Sequence, residues 1–324
     1  MAYVSTAQRR PGSGGGGSWS RLREALGNWL FLLPAVAFFV LWQLWPVVLV
    51  AWYSFTDFRF LDPNATTTFF GLPTGWVGLA NFREALSDDL VWEGLKRAAI
   101  FTLLFVPGMI LIPLVVATLV DRVRNGKIAG IYRVILLIPA MIPGPLVFVL
   151  WKWLYDLYIG PINYVLVDVF HFYTIRTQPQ WLGDPHLVFF SIAFMEWWWG
   201  IGYHTMFFIA GLAAIPHDLI EAARLDGASE LRLWWNVVVP RLLPVILVLV
   251  VIRFGSAMAV IDEYLIVGGF NRTSPTYTWT VYMWETAFVT GDWRQGYAAA
   301  IGWIGALAML VVVVGMFYLF RSRD

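Results

Sequence analysis

Six long apolar runs, at about 28–55, 98–120, 134–155, 187–214, 242–268 and 297–320, constrain this chain more than any other feature. Each reaches the ~20 residues that a helix needs to cross the hydrocarbon of a bilayer. A helix satisfies its own backbone hydrogen bonds, and it is the only open-ended element that can do so in lipid. Composition agrees: 13% of residues are charged, against about 25% in an ordinary soluble domain. The expected fold is an all-α integral membrane protein with six transmembrane helices over 28–324. Pro34, Pro46, Pro107, Pro113, Pro139, Pro143 and Pro145 lie inside these runs and should bend or break them. Such breaks call for a packed bundle whose neighbours take up the freed carbonyls.

The first 18 residues end in PGSGGGGS and read as a flexible tail. Residues 19–27, from the stretch WSRLREALGNW, alternate basic and apolar positions at helical spacing. That pattern suits a helix lying among the headgroups, and equally the ordinary start of the first span. Lys and Arg then set the orientation. With the N-terminus inside, the inner segments carry 13 of them, including Arg122, Arg124, Lys127, Arg224, Arg232 and Arg241, and the outer segments carry 7. Both termini are therefore expected in the cytoplasm. The outer tripeptide Asn64-Ala65-Thr66 matches a glycosylation acceptor, a pattern common by chance.

One inner segment is unexpectedly polar: IPHDLIEAARLDGASELRLWWNVVVPRLLP, residues 215–244. Pro216 suits the opening of a helix, and Asp218 and Glu221 complement the positive end of its dipole. Ala222 and Ala223 leave room for another backbone to approach. Gly227 permits a left-handed turn, Ser229 can cap a second helix, and Pro240 marks the entry to the fifth run. The expected product is a helix–turn–helix knob over 215–240, although any loop between two spans can hold an amphipathic helix.

Several chemistries are excluded. There is no cysteine, hence no disulfide and no thiolate metal site, and the four histidines lack ligand-like spacing. No GxxxxGK[ST], HExxH or GxSxG occurs, so nucleotide binding in a P-loop and the commonest hydrolase signatures are absent. Neither a metal nor a nucleic-acid partner is expected.

EAARLDGASELRLWWNVVVP resembles the EAA loop of binding-protein-dependent ABC importer permeases, with Glu221, Ala222, Ala223 and Gly227 in register. Val237 replaces an Ile of that pattern, and Val239-Pro240 its Leu-Pro. Further blocks resemble the carbohydrate-uptake branch, in order: LLPA (32–35), WVGLANF (76–82), LIPAMIPGPLVFVLWKWLYD (137–156), GPIN (160–163), WLGDP (181–185) and GYAAAIGWI (296–304). Val267 and Phe270 depart from the Thr-Gly-Gly-Pro usual in that branch. The resemblance implies a six-helix permease of the bacterial or archaeal cytoplasmic membrane, importing a sugar, an oligosaccharide or a related polyol. It implies a second permease chain, an ABC ATPase dimer that binds ATP and Mg, and an extracytoplasmic substrate-binding protein. Glu221, Ala222, Ala223, Asp226 and Gly227 would form the coupling helix that docks on the ATPase, and this chain would itself be no enzyme. Amino-acid and peptide permeases share the EAA loop and remain an alternative. So do a membrane enzyme using Glu196, Asp262 or Glu263 as acid or base, and a sensor whose knob binds a partner.

Ionisable groups inside apolar runs are costly and mark candidate functional sites. Glu196, Arg253, Asp262 and Glu263 qualify, and Lys152 sits near enough to an interface to snorkel. Glu196 and Arg253 either line a solute path or pair to fix helix packing. With Trp198, Tyr203 and Tyr264, in EWWWGIGYH and IDEY, these groups combine flat apolar faces with acceptors suited to a sugar. Lipid-facing aromatic residues are the plainer reading of the same pattern.

Overall fold

The computed structural model describes residues 18–62 and 72–321, with side chains over 29–62 and 72–318. The Asn64–Thr66 tripeptide and nearly all of the glycine-rich tail lie outside the described residues. The chain divides into two units, 1–52 and 53–324. The first holds α1 (Ser18–Phe39), a π-helical stretch (Val40–Leu44) and α2 (Trp45–Tyr53) as far as Trp52. The basic stretch at 19–27 thus runs into the first span without a break. The widened turn precedes Pro46, whose ring nitrogen offers no hydrogen to the preceding turn.

The second unit contains α3 (Ala80–Ser87), α4 (Asp89–Asp121), α5 (Gly126–Leu137), α6 (Gly144–Leu154), α7 (Pro161–Tyr164), α8 (Val188–Ala213) and α9 (His217–Leu225). It continues through α10 (Glu230–Leu233), α11 (Val239–Met258), α12 (Asp262–Gly268), α13 (Trp279–Phe288) and α14 (Gln295–Arg321). No strand occurs among the described residues. Its core centres on the α4–α8 pair, the most extensive helix packing in the unit, with α11 laid against α4. Phe101, Met109, Leu114, Ile192, Met195, Phe208 and Leu242 fill the space between them. Close approach of α8 to α5 requires Gly202, where a Cβ would lie 2.0 Å from the Leu136 carbonyl oxygen.

Among the described residues four helices are long and apolar enough to cross a membrane: Trp29–Tyr53, Asp89–Asp121, Glu230–Met258 and Gln295–Tyr318. A fifth, α8, meets α9 at a bend of 73°. The third run departs from expectation. Instead of one helix over 134–155 it forms α5, a 3₁₀ turn at Pro139–Met141 and the 11-residue α6. Clustering decides this outcome. Pro107 and Pro113 stand singly within an unbroken α4, whereas Pro139, Pro143 and Pro145 remove three donors within seven residues and push Ile142 into extended backbone. The carbonyl of Ile142 is not left bare, because the Trp199 indole donates to it at 3.1 Å.

The fifth run also differs, since its helix starts at Glu230 and stops at Met258. The carbonyls exposed by that stop are taken from α13: Trp279 Nε1 donates to Met258 at 2.8 Å and Thr280 Oγ1 to Val260 at 2.6 Å. α12 therefore stands apart from the span, held at its far end by Lys152 Nζ on the Ile266 carbonyl at 2.6 Å.

The ends of α3, α4, α13 and α14 remote from the knob are tied by polar groups. Asp88 caps α4 through Leu90 N–H and accepts from Tyr282 and Tyr297 hydroxyls at 2.6 and 2.7 Å. Arg294 makes a bidentate pair with Glu84 at 2.8 and 2.7 Å. Asn81, buried within the WVGLANF block, donates to the carbonyls of Ser54 and Thr56.

Candidate coupling knob and intramembrane polar cluster

Residues 215–240 form the helix–turn–helix knob expected from the sequence. Pro216 stands one place before α9, as its N-cap, and Asp218 lies in the first turn. At the other end Ala228 N–H donates to the Ala223 carbonyl and Gly227 N–H to the Arg224 carbonyl, both at 3.0 Å. That pair of bonds is a Schellman closure, and it places Gly227 in the left-handed region at φ +80°. Ser229 Oγ then accepts from Arg232 N–H and caps α10. No new span begins at Pro240. α10 runs through a π-helical stretch, Trp234–Val238, directly into α11.

The knob's outward surface consists of Glu221, Ala222, Leu225, Asp226 and Gly227, all exposed, with Ala223 half-buried. Leu225 is 89% exposed, which is unusual for a leucine on a nine-residue polar helix. Behind this surface Glu230 bridges Arg122, just past the end of α4, at 3.1 Å and Arg224, at the end of α9, at 3.3 Å. Trp234 Nε1 donates to Thr118 Oγ1 of α4 at 3.0 Å. The two links to α4 were not legible in the sequence, because Arg122–Glu230 and Thr118–Trp234 each join residues more than a hundred positions apart. The side chains of the three ion-pair partners are about half exposed, so the pairs fix geometry more than they add stability.

The predicted intramembrane residues separate into two groups. Glu196, Arg253, Glu263 and Tyr264 meet around α8, α11 and α12, and the sequence reading missed a fifth member, His204. Arg253 Nε donates to His204 Nε2 at 2.6 Å, while His204 Nδ1 donates to the Gly200 carbonyl at 2.7 Å. Because a guanidinium can only donate, the ring carries its hydrogen on Nδ1. The sequence offered only a weak signal for His204: eight residues after Glu196 put it on the same helix about 80° round from it, and nothing local pairs it with Arg253. Glu196 lies against Glu263, and its Oε1 is buried without a hydrogen-bond partner among the described residues. Tyr264 is fully buried between Phe101 and Phe189, and its hydroxyl also lacks a partner among the described residues. In this conformation the Tyr264 ring has no free face. Trp198 packs edge-on against Trp151, Tyr203 is half exposed beside Phe207, and Asp262 is exposed in the first turn of α12.

A bundle of broken apolar helices with a preformed, capped knob at one end and buried charge between its spans defines a membrane transport subunit. Residues 98–323 match the family of binding-protein-dependent transport system inner membrane components, and the chain belongs to that family. It is the permease component of an ABC importer, whose ATPase is a separate subunit. It is 31% identical over 293 residues to a probable ABC transporter permease of Pyrococcus horikoshii, covering 89% of this chain and 94% of the relative. It is 30% identical over 300 residues to the sn-glycerol-3-phosphate transport system permease UgpA of Agrobacterium fabrum, covering 90% and 93%. The fold is that of a chain from a bacterial ABC transporter that imports the acidic polysaccharide alginate, with a TM-score of 0.77 at 20% identity, over 94% of this chain and 99% of that one.

Proposed function

We propose that this permease imports a sugar, an oligosaccharide or a related polyol, and that residues 215–240 couple its spans to an ABC ATPase. The observation that carries the coupling is the closed, capped α9–α10 turn, with an exposed face ahead of it and Glu230 tied to α4 behind it. A push on α9 passes to α4 through Glu230 and to α11 through the unbroken α10 junction. α4 is packed on α8, so the motion reaches the core of the second unit. ATP closes the ATPase dimer, with Mg held there, and the spans rock between inward and outward access. Glu221, Ala222, Ala223, Asp226 and Gly227 form the docking face, and Glu196, Arg253 and Glu263 line or gate the solute path.

The solute class rests on the names of relatives: a glycerol-3-phosphate permease, a probable starch-degradation-product permease of Thermoanaerobacterium thermosulfurigenes and the alginate importer. The alginate system has also been crystallised with a pentasaccharide-bound periplasmic protein. We assign this chain a second permease subunit and an extracytoplasmic binding protein, with the knob and both termini in the cytoplasm, in line with the charge bias of 13 to 7. The test is purification of the tagged chain from native membranes in mild detergent, followed by an ATPase assay with the co-purified binding protein and a panel of sugars. An ATPase stimulated by one sugar-loaded binding protein is the expected result. Recovery of intact, folded chain with no ATPase would overturn the coupling role, and stimulation only by amino acids or peptides would overturn the solute class.

A further inference from the structure

The segment between α7 and α8 carries large apolar side chains that no other described segment of the second unit covers. Phe170, Phe172, Tyr173 and Ile175 are exposed, Phe172 and Ile175 by more than 70%. This is not a slack loop. The π-helical turn Val165–Val169 continues α7, and Phe170 N–H and Phe172 N–H donate to the carbonyls of Val165 and Leu166, both at 2.9 Å. His171 sits in the left-handed region at φ 54°, and its Nδ1 donates to the Val167 carbonyl at 2.9 Å. The reversal stacks the Phe170 and Phe172 rings at 5.4 Å. Thr174 and Thr177 close the following turn on each other. At the base, Asn163 accepts from the Trp181 indole at 2.9 Å and donates to the Pro179 carbonyl at 3.1 Å. A rigid frame thus holds the aromatic side chains outward.

We propose that the tip Phe170–Ile175 is a lipid anchor, seated at the headgroup–acyl boundary of the leaflet opposite the knob. Position places it there: this segment and the knob lie at opposite ends of α8. The neighbouring chain supports it as well. Leu146, Val149 and Trp153, at helical spacing on one face of the apolar α6, are exposed, and exposed apolar side chains recur along the chain at Tyr158, Ile159, Tyr164 and Val169 on the way to the tip, interrupted by Asp156 and Asp168. Chemistry favours lipid over a protein partner. From Val169 to Thr177 the only charged side chain is Arg176, a donor to phosphate headgroups, while Phe, Tyr and Ile supply what the interface takes up. The anchor would fix the height of α7 and the reach of the loop that leads into α8.

The chain has no cysteine, so single-cysteine labelling needs no prior replacement. Spin labels at Phe172→Cys, Ile175→Cys and, as an exposed control in the same segment, His186→Cys would be placed in the full chain in vesicles of phosphatidylethanolamine and phosphatidylglycerol. Accessibility to oxygen and to a water-soluble nickel chelate would be compared. The proposal expects an oxygen-to-nickel ratio several-fold higher at 172 and 175 than at 186, with the 172 signal broadened by spin-labelled lipid. Equal ratios at all three positions would overturn it, and so would protection at 172 that arises only after an extracytoplasmic binding protein is added. The two tip positions are independent and exposed, so misfolding of one variant leaves the other to decide.

Discussion

The left-handed turn at Gly227 sets what the knob tolerates. Its φ is +80°, and a Cβ built there meets nothing within 4 Å. Side-chain volume is therefore free, and the backbone angle carries the whole intramolecular cost of substitution. That cost is roughly 1–2 kcal/mol for an ordinary L-residue. It is greater for a β-branched residue, whereas Asn and Asp adopt positive φ several-fold more readily than others. A penalty of this size reduces the closed turn about 5–30-fold relative to competing turns. Coupled transport should therefore fall in the order Gly227→Asn, Gly227→Ala, Gly227→Val, with insertion unchanged because the site is exposed. Gly227→Asp separates conformation from charge: it shares the backbone tolerance of Asn but adds an anion beside Asp226 on the docking face. The assay is solute- and binding-protein-dependent ATP hydrolysis by the reconstituted transporter, with the amount of co-purified ATPase measured in parallel. Asn as damaging as Val, or Val with normal coupling, would refute the argument from the turn. Loss with Asp and not with Asn would locate the defect in the partner's cleft.

Glu230→Gln removes both bridges to Arg122 and Arg224; stability should change by less than about 1 kcal/mol while coupling drops, and a larger loss of melting temperature would assign Glu230 to folding. Burial alone would raise the Asp88 carboxyl, but the hydrogen bonds from Tyr282 and Tyr297 outweigh it and hold the group below the ordinary aspartate range. A depressed carboxylate stabilises the fold above its unfolded value, about 3.9, and that stabilisation is lost as pH falls through the folded value. The wild type should thus lose melting temperature in acid, and Asp88→Asn should melt lower at neutral pH with a smaller acid step; identical pH profiles would contradict this. Gly202→Ala forces a methyl onto the Leu136 carbonyl and should cost roughly 1–3 kcal/mol of thermal stability, whereas an unchanged melt would mean that α5 and α8 can separate freely. Glu196→Gln and Arg253→Met should lower uptake at normal expression, and unaltered uptake by both would remove them from the solute path.

The apolar runs located four spans and α8 because length and hydropathy act locally. They failed where three prolines cluster, since the choice between one kinked helix and two short ones depends on which neighbour takes the freed carbonyls. The knob was legible residue by residue: Gly227, Ser229 and Asp218 act on their own backbone, within a few positions. Its anchorage through Arg122 and Trp234 was not, because those contacts depend on how α4 and α11 cross. The same limit hid the His204 partner of Arg253, for helical periodicity places residues on one helix and says nothing of the helix opposite.

The 19 tryptophans raise the same question of placement. Interfacial belts and sugar platforms both predict indoles facing outward. Several instead face in and act as donors: Trp197 to the Phe105 carbonyl, Trp199 to that of Ile142, Trp279 to that of Met258, and Trp234 and Trp181 to side chains of neighbouring segments. Two of these acceptors, Ile142 and Met258, are carbonyls that a helix break has released. An unsatisfied carbonyl in hydrocarbon costs several kcal/mol, and Trp meets it with a single N–H on a large apolar body that packs in the same core. Ser or Asn could donate as well, but only by leaving the surrounding volume unfilled or burying further polar atoms. At these two breaks helix interruption and tryptophan go together: the prolines and the helix stop release the carbonyls, and the indoles of Trp199 and Trp279 let them sit inside a membrane.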